Sequence, residues 1–249
     1  VSGRSPGAAP ASGAGPSAPF VLLDGVSFDF PGTRFRDLTL EVGPGELILL
    51  DGPNGAGKTT VLTTIAGFRT PSRGRRGPTL PRVGTRRHQT EIGYLPSDPG
   101  PLVNLPLRKW TKLMASSFGV RDGELRDMWV AMSGDPSAWD TSLSDLSTGN
   151  RKRTLLLLAF ALPRRLLLLD EPFESVDDAG SDAVAGVIRD QLSRGAAAVV
   201  VSQRALPGDL RADRTVVLGD RDRGGSQAPS ADGSRDGTQH AGPDSGRSA

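Results

Sequence analysis

The residue types best suited to chemistry stand together in one run, Gly52-Pro53-Asn54-Gly55-Ala56-Gly57-Lys58-Thr59-Thr60, between an apolar segment and an apolar stretch of helical spacing. The run satisfies G-x-x-x-x-G-K-[ST], with the strand before it and the helix after it that the pattern requires. Glycines let the backbone curl closely enough for successive N–H groups to point inward at phosphate oxygens. The helix after the loop adds its partly positive N-terminus. Lys58 supplies a point charge for the outer phosphates, the Thr59 hydroxyl suits Mg²⁺, and Thr60 helps hold phosphate. The alternative, a Gly-rich strand-to-helix turn that binds nothing, is the weaker reading with every fixed position filled.

A loop of this kind needs a carboxylate at the end of a buried strand to coordinate the metal. The apolar run 166–169 followed by Asp170 provides it. Glu171 comes next, placed to polarise an attacking water as a general base. An apolar run ending in Asp-Glu is by itself more often a strand meeting a loop, and the upstream loop is what reverses those odds. Other chemistries are poorly supplied. The chain has no Cys and only two His, His88 and His240, so thiolate sites and histidine cages are excluded.

The elements that must position these groups read as an α/β fold. The 249 residues are 36% hydrophobic and 23% charged, which suits one domain with a real core. Strands are expected at 20–30, 38–42, 47–50, 92–95, 166–169, 197–201 and 215–218. Helices are expected at 59–68, 107–118, 124–132, 149–161 and 178–193. Runs such as LLLL and AVVV lack polar alternation, as strands do when helices cover both faces of a mainly parallel sheet. The stretch from about 98 to 161 has helix patterns and no strand run, which predicts a small helical subdomain inserted in the core. Residues 1–19 and 219–249 are rich in small and polar types and are expected to be disordered extensions around a domain at 20–218. The first is not a secretory signal, having no apolar segment. The longest apolar run, 155–162, is far short of the ~18–20 residues that span a bilayer.

Many folds share a phosphate loop and an acidic strand end, and the residues between them discriminate. Leu146-Ser147-Thr148-Gly149-Asn150 precedes a basic-then-apolar helix that ends just before the acidic strand. This resembles the signature motif of the ATP-binding cassette (ABC) family, in the Leu-Ser-Thr-Gly form of bacterial exporter ATPases, and the resemblance extends over roughly 20–218. It implies a P-loop NTPase core, a mainly parallel sheet with an antiparallel β subdomain and the inserted helical subdomain. It further implies an ATPase using ATP and Mg²⁺, dimerised head to tail so that Ser147 and Gly149 of one subunit face nucleotide on the loop of the other. The pair is a homodimer or a heterodimer with another ABC ATPase. Asp177 stands at the carboxylate position of the loop that crosses such a dimer, with Val176 where Leu is usual. Phe30 falls near the position that stacks on adenine, with Phe28 as its competitor and core packing as the alternative for both.

Two departures from the pattern bear on rate. Ser97 stands where the family carries Gln, and Gln203 stands where it carries a His that contacts the γ-phosphate. Gln203 can hydrogen-bond but carries no charge, so slow turnover is expected. The resemblance implies a separate transmembrane permease as partner, a cytoplasmic location on the inner face of the membrane, and export rather than uptake. A non-hydrolysing regulatory module and a soluble ABC protein acting outside transport are the alternatives. A formal charge of +2 gives no reason to expect nucleic acid. The arginines at 69, 73, 75, 76, 82, 86 and 87 are expected to form a solvated hairpin on the rim. Trp110, Met114 and Phe118, four residues apart, are expected to form a packed helix face.

Overall fold

The computed structural model describes residues 19–28, 36–98 and 104–219. In chain order its elements are β1 (Phe20–Ser27), β2 (Leu38–Val42), β3 (Leu47–Asp51), α1 (Lys58–Ala66), β4 (Arg73–Arg76), α2 (Arg86–Glu91), β5 (Ile92–Leu95), α3 (Leu107–Phe118), α4 (Asp122–Ala131), α5 (Thr148–Phe160), β6 (Leu166–Asp170), α6 (Asp178–Ser193), β7 (Ala197–Val201) and β8 (Arg214–Val217). Strands β5-β6-β7-β3-β8 form a five-stranded parallel sheet, and β2-β1-β4 form a three-stranded antiparallel one. This is the expected α/β class.

The uniformly apolar runs explain the layering. Every residue of β6 and β7 is buried, so helices must cover both faces. Along β6, Leu166 and Leu168 pack with the α1 residues Val61, Leu62 and Ile65, while Leu167 and Leu169 pack with Leu156 of α5 and Ile188 of α6. The two-residue period of a strand thus divides one LLLL run between two cores. Parallel pairing carries the C-terminal ends of β3, β6 and β7 to one edge, where open α/β sheets bind ligands.

Between β5 and β6 the described residues form α3, α4, α5 and two short 3₁₀ turns, Pro136–Asp140 and Leu143–Asp145, without a strand. The stripe on α3 packs inward. Trp110 is buried and Met114 lies against the same core, while the Arg164 guanidinium sits 5.6 Å from the Phe118 ring centroid. Arg164 itself is buried and donates to the carbonyls of Leu158 and Ala159 at the end of α5 and of Gln89 and Thr90 in α2, at 2.5–3.1 Å. It satisfies carbonyls that a helix end leaves over. Burial pulls its pKa down to about 10.

The arginine stretch is exposed, as expected, at 69, 73, 75, 82, 86 and 87, but it is not a simple hairpin. It contains β4, paired to β1 through Leu23–Arg76 and Ser27–Arg73, and the short helix α2. Arg76 turns inward, donating from Nε to Ile65 O at 2.6 Å and from Nη1 to Pro81 O at 3.0 Å. His88, to which the sequence assigns no role, places Nε2 2.8 Å from Ala66 O. Both side chains therefore sit on carbonyls at the C-terminal end of α1, where positive or donating groups are favoured. They anchor the far end of the helix whose start faces the phosphate loop.

Candidate active site

The loop between β3 and α1 has the backbone that its glycines predict. Gly52, Gly55 and Gly57 have φ of 137°, 77° and 103°, which side-chain-bearing residues avoid. At Gly52 a Cβ would lie 2.4 Å from Leu218 O, so only glycine lets the loop leave the sheet here. No side chain caps α1, and its first N–H groups remain directed at the loop. Lys58 folds across the loop, its Nζ donating to Gly52 O at 2.5 Å and Pro53 O at 3.3 Å. Both acceptors are neutral carbonyls, so the positive charge is left for an anion to offset.

The acidic strand end meets this loop directly. Thr59 donates from Oγ1 to Asp170 Oδ2 at 2.7 Å, across 111 positions of sequence, and Asp170 is only 2% exposed. A hydroxyl and a carboxylate oxygen in contact are hard donors of the kind Mg²⁺ takes, usually one or two from protein and the rest from phosphate and water. The residues present therefore fit that ion.

Glu171 comes next in the left-handed region, φ 51°, a conformation that costs a non-glycine residue and concentrates at functional sites. Its N–H donates to Val201 O at 2.9 Å. Its carboxylate accepts from the Gln203 N–H at 3.0 Å. Partial burial pushes its pKa above the usual glutamate value. The Gln203 N–H opposes that shift, and neighbouring Asp170 and Glu174 reinforce it. Gln203 also donates from Nε2 to Asn54 Oδ1 at 3.1 Å, so one residue touches both the phosphate loop and Glu171. Ser97 lies exposed just past β5. Phe30 is outside the described residues, and its competitor Phe28 is 5% exposed, in the core cluster with Leu22 and Leu40.

The segment around Ser147 is built differently. Ser147 caps α5, accepting from Asn150 N at 3.3 Å, and is itself exposed. Gly149 packs so close to the loop before α6 that a Cβ would come 2.8 Å from Ser175 O. Asp177 caps α6, accepting from Gly180 N at 2.8 Å, and pairs with Arg153 of α5 at 3.2 Å. Arg153 also donates to Met132 O at 2.6 Å.

Sequence reasoning missed the two basic residues just inside α5. Lys152 and Arg153 are 6% and 7% exposed, although a run of Arg-Lys-Arg reads as a solvated face. The signal lay in the rest of the helix. Residues 155–160 are apolar on every side of it, and a helix of that kind is enclosed all round, so its adjacent cations could not all face water. Lys152 donates from Nζ to Asp170 O at 3.2 Å. Burial lowers its pKa, and the carboxylates of Glu174, Asp170 and Glu171 oppose that shift.

A phosphate loop joined to an acidic strand end on a parallel sheet defines a P-loop nucleotide-binding fold. The family model described as "ABC transporter" matches residues 35–174. The cytochrome c biogenesis ATP-binding export protein CcmA 2 of Cupriavidus metallidurans is 32% identical over 179 residues, 70% of this chain and 84% of the relative. The zinc import ATP-binding protein ZnuC of Cereibacter sphaeroides is 31% identical over 186 residues, 73% of this chain and 71% of the relative. Among solved structures, the dimeric bacterial ABC transporter cassette MJ0796 superposes with a TM-score of 0.69 at 18% identity, covering 84% of this chain and 98% of that one. The chain belongs to the ABC transporter family, as one of its ATP-binding subunits.

Proposed function

We propose that the chain binds MgATP on the 52–60 loop, hydrolyses it slowly, and uses the cycle to drive export through a separate transmembrane permease. The observation that carries this reading is the 2.7 Å contact between Thr59 and Asp170, which joins loop and acidic strand end beside Glu171. Backbone N–H groups of the loop and Lys58 would cradle the phosphates, with Gly52, Pro53, Asn54, Gly55, Ala56, Gly57 and Thr60 as its frame. Thr59 and Asp170 would hold magnesium, which when bound offsets phosphate charge. Glu171, its carboxylate raised in pKa and held by the Gln203 N–H, would take the proton of the attacking water. Gln203 would orient the γ-phosphate without charge. Phe30 remains the proposed adenine-stacking residue.

Ser147, Gly149 and Asp177 are assigned to a second copy's nucleotide, or to that of a related ABC ATPase. The exposed cap at Ser147 and the dimeric state of MJ0796 support this. A nucleotide held between two such faces stabilises the closed pair over the open one, the differential contact that shifts a conformational equilibrium. Export is favoured by the Leu-Ser-Thr-Gly form and by relatives named as export proteins, though others are named for import. The proposed location is the cytoplasmic face of the membrane. No helix among the described residues is long and apolar enough to cross a bilayer. The proposed domain is 20–218, with the helical subdomain at about 98–161; the extensions expected at 1–19 and 219–249 lie, but for residues 19 and 219, outside the described residues.

Calorimetry with ATP and Mg²⁺ tests the binding step, and phosphate release with and without a chelator tests hydrolysis. Absence of binding heat would remove the proposal at its base. A second reading, a regulatory cassette that binds without hydrolysing, is favoured by Ser97 and Gln203 at the two substituted positions. Binding without any phosphate release would select it.

A further inference from the structure

We infer that Lys152 is a positioning residue for hydrolysis, a buried cation through which α5 holds the strand end carrying Asp170 and Glu171. The inference rests on the proposed ATPase reading and adds to it a residue outside both the phosphate loop and the 146–150 motif.

Lys152 lies within the first two turns of α5, and its amine is enclosed. Its Nζ donates to Asp170 O at 3.2 Å, the last carbonyl of β6 before the chain turns into the left-handed conformation of Glu171. Three carboxylates, those of Glu174, Asp170 and Glu171, act on the same amine. A buried ammonium is costly unless charge or hydrogen bonds compensate it. A neutral side chain of similar length would fill the space at lower cost, so packing alone does not account for lysine here. The charge fits a task, that of gathering an acidic turn around a strained residue.

The placement also fixes what is coupled. The exposed start of α5 is Ser147, and the adjacent Arg153 grips Met132 O and Asp177. A displacement of α5 therefore moves Lys152, and with it the carbonyl that precedes Glu171. Turnover at this chain's own loop becomes sensitive to the position of the helix whose start is proposed to face the second nucleotide.

The test uses the full chain and three variants, Lys152→Met, Lys152→Gln and Lys152→Arg. Phosphate release, ATP calorimetry and amide hydrogen exchange at 170–174 are measured for each. K152M is expected to lower kcat about tenfold or more with KM and ATP affinity within twofold, an effect confined to the reacting state. Exchange at 170–174 should quicken, and K152R should restore both. K152Q supplies a second neutral side chain should K152M not fold. Unchanged kcat in the neutral variants would overturn the inference, as would an equal defect in K152R. An equal loss of affinity and thermal stability would also overturn it by showing a general packing role. Should the wild type bind ATP but release no phosphate, the ATPase reading fails separately. Exchange then decides, and unaltered rates at 170–174 in K152M would overturn the inference.

Discussion

The phosphate loop and the Ser147 segment both offer helix N-termini, yet they are built in opposite ways. Around the loop, side chains converge. Thr59 reaches Asp170, Gln203 reaches Asn54 and Glu171, and Lys58 spans the loop. Around Ser147 the polar contacts run backward into the fold, from Arg151 to Ser144 O, Lys152 to Asp170 O, and Arg153 to Met132 O and Asp177. The first region is assembled within one chain, as its proposed role of nucleotide receptor requires. The second is a helix start held rigid from behind with its front exposed, a design suited to a ligand that arrives on another molecule.

Separable defects would sharpen that comparison. Lys58→Ala should have the largest effect, removing the loop's charge and lowering kcat/KM about 10³-fold. Calorimetry should show ATP affinity falling with it. Asp177→Ala acts behind the exposed helix start instead. It removes the α6 cap and leaves Arg153, 8% exposed at its side chain, without its carboxylate. Unfolding in urea should show a loss of about 2 kcal/mol, with ATP affinity of the isolated chain retained. Gly149→Ala should do less to stability. Its Cβ must displace Ser175 O from 2.8 Å, shifting the helix start, and a tenfold fall in kcat with unchanged ATP binding by the single chain is the expected result. A matching loss of single-chain affinity would mean that this segment serves its own loop, and the contrast between the regions would break.

The two regions were unequally legible in sequence for a physical reason. The loop's backbone is dictated locally, because Gly52, Gly55 and Gly57 occupy positive φ, and its spacing announces the ligand. Likewise 166–169 and 197–201 read as buried strands from their lack of alternation. The support of α5 depends on partners far along the chain. Lys152 meets a carbonyl 18 residues on and Arg153 an aspartate 24 residues on, so nothing beside them in sequence announces those contacts. Strand β4 was missed for the same cause. Its Arg-Gly-Arg-Arg sequence has weak strand preference and becomes a strand only because β1 offers an edge. His88 gained its place from Ala66 O, 22 residues away.

The smallest predicted effect tests whether the loop region is complete. Gln203 contributes two contacts by different means, a main-chain N–H to Glu171 and a side-chain amide to Asn54. Gln203→His leaves the first intact, since any residue supplies that N–H, and replaces the second with a ring able to carry charge near the proposed γ-phosphate position. Single-turnover phosphate release should therefore quicken by a few-fold, to about tenfold, with ATP affinity little changed. A rate no higher than wild type would show that the missing charge at 203 does not limit turnover. The cause of the proposed slow turnover would then be sought at Ser97, the other departure, which lies exposed beyond β5. Gln203→Ala separates the remaining possibility. It frees Asn54 without adding charge, so a gain in that variant would assign the proposed slowness to the amide contact itself.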